Sequence, residues 1–171
     1  MVNKKTIILL AILVFILAIS TVSAAENATD DIASVEEDGQ IILEEDESTA
    51  GTFDDLSGEI DATNDGDILN LTKDYKFVNG SGNGIAINKS ITINGNNHKI
   101  DGNAQSRIFF TNAENITLNN LVLVNGFADN GGAIFVNKTI TCNNVTFVNN
   151  HAQQGGAIYT MNYAIIDHCT F

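Results

Sequence analysis

The stretch Ile116-Thr-Leu-Asn-Asn-Leu-Val-Leu-Val-Asn-Gly-Phe-Ala-Asp-Asn-Gly-Gly-Ala-Ile-Phe135 is followed by a near copy, Ile140-Thr-Cys-Asn-Asn-Val-Thr-Phe-Val-Asn-Asn-His-Ala-Gln-Gln-Gly-Gly-Ala-Ile-Tyr159. A third copy opens at Ala164-Ile-Ile-Asp-His-Cys-Thr-Phe171. The period is about 24 residues, and self-similarity at a fixed period of about 20–50 residues marks stacked repeat architectures. It decides the fold before any other argument.

Within each copy the pattern is that of short strands. Alternate side chains are apolar in Ile116-Thr117-Leu118 and in Leu121-Val122-Leu123, as a half-buried strand requires. Asn119-Asn120 interrupts them, and Asn-Gly, Asp-Asn and Gly-Gly steps follow. Asn and Gly tolerate left-handed backbone angles, so these are corners. A unit of that length with two or three short strands and tight corners is one coil of a parallel β-helix. The expected fold is all-β: a right-handed, single-stranded parallel β-helix over residues 67–171, its coils about 4.8 Å apart.

Stacking then predicts ladders. Leu121, Val145 and Cys169 form one apolar column, and Leu123, Phe147 and Phe171 another. Asn120, Asn144 and His168 share a corner, beside Asn119, Asn143 and Asp167, and stacked asparagines hydrogen-bond from coil to coil. Weaker copies run upstream. Ser90-Ile-Thr-Ile-Asn-Gly95 opens a coil in line with Asn115, and Asp67-Ile-Leu-Asn-Leu71 opens one in line with Ser90. The second strands align as Gly84-Ile-Ala-Ile87, Arg107-Ile-Phe-Phe110, Gly132-Ala-Ile-Phe135 and Gly156-Ala-Ile-Tyr159. The early copies drift slightly from the later period, which predicts corner insertions there.

The front of the chain is different in kind. Lys4-Lys5, the 13 apolar residues Ile7–Ile19 and the small residues Val22-Ser23-Ala24 make residues 1–25 a secretory signal peptide, cut near Ala24 or Ala25. An uncleaved anchor is the competing reading, but that apolar run is short for a membrane span. The formal net charge is −13, and 16 of the 21 acidic residues fall between Glu26 and Asp67 with no Lys or Arg among them. Residues 26–51 therefore read as an acidic, self-repelling linker, while the repeat region is close to neutral. This balance argues against nucleic acid and anionic membrane surfaces as partners, leaving membrane contact to the signal segment during export. No glycine-punctuated loop supports calcium binding by the leader.

Residues 52–66 read as an N-terminal capping helix. Thr52 with Asp55 is a capping box, Phe53, Leu56 and Ile60 fall on one face, and Asn64-Asp65-Gly66 closes the turn. Such a helix would cover the apolar end of the first coil and its strand edge. Phe171 has no equivalent cover after it, so truncation at the C-terminal side is the expectation.

Phe147-Val148-Asn149-Asn150 followed by Gly155-Gly156-Ala157-Ile158 resembles the paired FxxN and GGAI motifs of polymorphic outer-membrane protein repeats. With the signal peptide, the acidic leader and the Thr52-Phe-Asp-Asp-Leu56 start, the chain also resembles the adhesin-like proteins of methanogenic archaea, a right-handed, pectate-lyase-like β-helix group. The resemblance covers about residues 52–171. The first copy keeps Gly131-Gly132-Ala133-Ile134 but has Leu123-Val-Asn-Gly126 where FxxN would stand. The resemblance implies a secreted or cell-surface β-helix that attaches to glycans or proteins of other cells.

Enzymes also use this fold, and their chemistry needs clustered groups. Asp74, Asp101, Asp129 and Asp167 fall at different points around the coil and build no acid–base pair. Arg107 is the one arginine in the chain, too little for the basic cluster of a lyase. His98, His151 and His168 are scattered, and His168 cannot share a metal with Asp167 and Cys169 if all three lie on one extended strand. The expectation is no catalysis, no metal and no cofactor. Phe135 and Tyr159 read as stacked scaffold aromatics, although a solvent-facing aromatic ladder is where a glycan would stack.

Cys142 replaces Leu118 in the repeat while Cys169 stacks on Val145, so the two are offset along the strand as well as between coils. They read as two buried free thiols rather than a bridge. Of seven Asn-x-Ser/Thr sequons, Asn27, Asn79 and Asn137 are the best glycan acceptors, and Asn144 is a poor one because it lies in a ladder. The competing functions are a polysaccharide-processing enzyme with its catalytic coils elsewhere and a structural wall or sheath component.

Overall fold

The computed structural model describes residues 50–171. The segment read as a signal peptide, Asn27 and nearly all of the segment read as an acidic linker lie outside the described residues. The described part is mostly β: a parallel solenoid of about five coils with one short helix near its N-terminal end.

Three sheets run along the solenoid. The first contains β1 (Gly51–Thr52), β2 (Ile68–Asn70), β3 (Tyr75–Lys76), β5 (Thr92–Asn94), β6 (Lys99–Asp101), β8 (Asn115–Val124), β11 (Thr139–Val148) and β14 (Tyr163–Asp167). The second stacks β4 (Ile85–Ile87), β7 (Phe109–Thr111), β10 (Ile134–Val136) and β13 (Ile158–Thr160). The third pairs β9 (Phe127–Asn130) with β12 (His151–Gln154). Every pairing is parallel and joins one coil to the next.

The predicted columns are present. Val145 pairs with Leu121 and Phe147 with Leu123, and the Thr146–Thr170 bridge places Cys169 and Phe171 next in each column. Asn120, Asn144 and His168 adopt φ of 52°, 53° and 51°, so one left-handed residue bends each coil at the same height. The long strands β8 and β11 bend there without breaking, and each therefore supplies two arms of the first sheet.

Two register expectations shift by one position. Ile85 pairs with Phe109 and Ala86 with Phe110, so Gly84 lies opposite Ile108 rather than Arg107. A one-residue slip exchanges the inner and outer faces, and burying Ile85 and Ile87 while exposing Ala86 selects the observed register. Likewise Ile68 pairs with Thr92, which sets Asp67 opposite Ile91 rather than Ser90. The expected insertion is real. In the β5–β6 coil the turn through Asn96 and Asn97, both left-handed, takes more chain than the single Asn120 corner that follows it. The later coils use the released length on the opposite side, in β9 and β12, a third sheet that the alternation did not announce.

At the N-terminal end, α1 (Phe53–Ala62) carries the capping box: Thr52 N donates to Asp55 Oδ2 at 2.8 Å, and Asp55 N donates to Thr52 Oγ1 at 3.1 Å. The bond from Thr52 N, with a second from the Thr52 hydroxyl to Asp55 Oδ2 at 2.9 Å, holds the Asp55 carboxyl below its ordinary pKa. Phe53, Leu56 and Ile60 are buried, and the Phe53 ring meets Phe77 edge-on. Lys89 ties the far end of the helix to the second coil, its ammonium donating to the carbonyls of Asp61 (2.5 Å) and Thr63 (2.7 Å). A cation at a helix C-terminus also complements the dipole. The sheet edge is managed by more than the helix. Gly51, expected in the linker, forms β1 with Thr52 and pairs with Tyr75 while Thr52 pairs with Lys76.

Candidate functional site

Residues of the recurring motif build the scaffold. Phe147 is buried in its column, and Ala133 and Ile134 are fully buried. Asn150 is a coil-to-coil clamp: its Oδ1 accepts from Gly126 N at 2.8 Å, and its Nδ2 donates to Leu123 O at 2.9 Å, both one coil back. Gly131 and Gly155 sit at φ of 63° and 61°. At Gly132 a Cβ would lie 2.2 Å from Gly156 O, so the coils stack there only because no side chain intervenes. Ala157 and Ile158 repeat these roles with partial exposure.

Amide ladders line the first sheet. Asn94 donates to Asn70 at 3.0 Å, Asn119 to Asn94 at 2.9 Å and Asn143 to Asn119 at 2.9 Å, with Asn144 donating to Asn120 alongside at 2.7 Å. Beside them Thr92, Thr117 and Thr141 form an outward column. The asparagine column passes to Asp167 and the threonine column to exposed Ile165 in the last coil.

The second sheet presents a different outer face. Phe110, Phe135 and Tyr159 stack one per coil, with centroids 5.5 and 5.3 Å apart and ring planes within 21° and 22° of parallel. All three are half-exposed. Arg107 lies beside them with its guanidinium carbon 5.3 Å from the Phe135 centroid. Its donors are directed to main-chain carbonyls: Nη1 to Asn83 O, Nη2 to Asn130 O and Nε to Gly131 O, at 3.1, 2.9 and 3.1 Å. One side chain thus links three successive coils. On the other flank Asn137 donates its amide to Asn112. A smaller pair, Phe127 over His151 with centroids 5.7 Å apart, stands on the third sheet.

The sequence pointed to Phe135 and Tyr159 but did not single out Phe110 or Asn112. The alignment of Arg107-Ile-Phe-Phe110 with Gly132-Ala-Ile-Phe135 contained the signal, because it puts Phe110 in the same column.

The carboxylates remain apart, each with a local partner. Asp74 meets His98 Nδ1 at 2.9 Å and accepts from Lys99 N at 3.0 Å. Asp101 accepts from Asn103 N and Asn125 Nδ2, and Asp129 from Gln153 Nε2. Asp167 meets His168 Nδ1 at 2.9 Å. Here the expectation of opposed neighbours fails, because His168 is left-handed and turns the backbone between them. Among the described residues no three His, Cys, Asp or Glu side chains converge on a metal-sized point.

Both cysteines are free. Cys142 is buried, but Cys169 is only partly so, correcting the expectation of two buried thiols. Burial, with the neighbouring Cys169, pushes the Cys142 thiol up to about 12. Asn79 is exposed. At Asn137 one N–H of the side-chain amide is donated to Asn112. A hollow at the last rung is lined by Ala157, Ile158, Ala164, Ile166 and Phe171, the inward column positions of the solenoid seen in section.

Fold and faces together define a parallel β-solenoid with coils of about 24 residues. Set against protein-family models, curated proteins and solved structures, the chain matches none, and no family is assigned.

Proposed function

We propose that the chain is an exported, cell-surface, adhesin-like scaffold that binds glycans or proteins of other cells through its outer faces. The observation that carries this reading is the half-exposed ladder Phe110–Phe135–Tyr159. A core needs aromatics inside, and a solvated strand face does not need three rings in a row outside. Aromatic side chains supply large contact area at low entropic cost, the property that recognition surfaces use. Weak contacts at each coil add along the axis, and many displayed copies multiply them. The basic n-region and apolar run of residues 1–25 support export.

The test is direct. Purified protein should bind intact cells or an arrayed glycan panel, and Phe135→Ala should weaken that binding while leaving the far-ultraviolet circular dichroism unchanged. Self-assembly with no binding to cells or glycans would favour the sheath component instead.

A further inference from the structure

We infer that the outer face of the second sheet is a platform for a neutral, extended, β-linked polysaccharide lying parallel to the solenoid axis. This rests on the adhesin reading and names the chemistry of its ligand.

Spacing is the first argument. The rings recur at 5.5 and 5.3 Å, close to the length of one pyranose residue in an extended β-1,4-linked chain. Rings in face-to-face van der Waals contact would sit about 3.5–4.0 Å apart, so these rings follow the coil spacing rather than closing on one another, and all three stay partly exposed. A sugar's axial C–H groups would pack against that exposed ring surface, giving one sugar per ring and one ring per coil.

Hydrogen bonding is the second. Asn112 stands two positions after Phe110, and Asn137 two after Phe135, with buried Thr111 and Val136 between. Alternation therefore puts each amide on the same side as its ring. The Asn137-to-Asn112 bond uses one donor and one acceptor, leaving Asn112 Nδ2 and Asn137 Oδ1 to face a hydroxyl.

Charge is the third, and it selects a neutral chain. Arg107, beside the stripe, directs its donors to the carbonyls of Asn83, Asn130 and Gly131 and lies against Phe135, and Lys138, which follows Asn137, is paired with Glu114 at 3.2 Å. A uronate would meet no open guanidinium fork there, and it would lose hydration without gaining a pair.

The experiment uses the full chain and soluble β-1,4-linked oligomers of glucose, N-acetylglucosamine and mannose, from monomer to pentamer, with polygalacturonate as the acidic arm. Binding is read by saturation-transfer NMR and calorimetry. Affinity for at least one neutral series should climb from monomer to trimer, as the three rings are covered, and then level off. Phe135→Ala should weaken it about tenfold, and Tyr159→Phe should retain it. Affinity independent of length, equal binding by Phe135→Ala, or preference for polygalacturonate would overturn the platform. If wild-type protein binds cells but none of the oligomers, the platform fails and the adhesin reading stands. If it binds neither, both fail.

Discussion

Phe147 and Phe135 both belong to the repeat, and each is stacked on a ring from the next coil, but on opposite sides of the wall. Phe147 lies 4.8 Å from Phe171 with planes 7° apart and is only 4 % exposed. Phe135 has a ring on both sides, yet it faces solvent. The coil-to-coil register imposes stacking on both columns alike, so stacking by itself says nothing about role. Which side of the wall a column occupies decides whether its rings hold the fold or remain available to a ligand.

The sharpest way to break this contrast is to truncate both rings. Phe147→Ala empties a core position and should cost about 3–5 kcal/mol, read as a lower denaturant midpoint at unchanged slope. If Phe135→Ala costs as much, the two columns are energetically alike and the outer one is scaffold. A second substitution asks whether the outer wall is structurally silent everywhere. Lys89→Met removes the ammonium that holds the carbonyls at the end of α1, and hydrogen bonds to charged groups contribute about 1.5–3 kcal/mol. Its loss should appear first as faster amide exchange in Phe53–Ala62, with the later coils unaffected.

The inner wall should also carry a pH signature. Cys142 has its folded pKa raised to about 12, above the ordinary thiol value of about 8.5. The folded state therefore keeps a proton that the unfolded state releases. Stability should be intact below about pH 8.5 and fall by about 1.4 kcal/mol per pH unit as pH rises toward 12. Tyr75, raised by burial and by donating to Glu59, joins above its own ordinary value of about 10. Cys142→Val should flatten the curve between those two onsets, and an unchanged slope there would remove the thiol from the account. The smallest expected effect is on the outer face, where Phe135→Ala should cost about 0.5–1.5 kcal/mol from lost ring contacts.

Much of the fold was legible because repetition fixes register wherever the copies agree. The columns through Leu121 and Leu123, and the asparagine corner, followed from the shift between copies alone. Legibility failed where copies differ in how they distribute length. Asn96 and Asn97 lengthen a corner that later coils make with a single asparagine, and alternation cannot count residues in a corner; the Gly84–Ile87 strand pairs one position away from the expected register because burial of Ile85 and Ile87 sets it. The site was less legible for a related reason. Alternation says that Phe135 and Ile134 face opposite ways, and the alignment of the copies puts Phe110 in the Phe135 column, but only the packed coil shows that Arg107 is committed to main-chain carbonyls. The pairing of His168 with Asp167 was missed because a left-handed residue cancels the rule that neighbours diverge.

The exchange of length between the asparagine corner and the third sheet has a consequence for how such a protein can evolve. Whole turns can be gained or lost by recombination between near-identical gene segments, and the fold accepts each newcomer without renegotiating its walls. Every duplication would lengthen the rod by about 4.8 Å and extend the outer stripe by one more tooth, so reach and grip would grow together by simple copying.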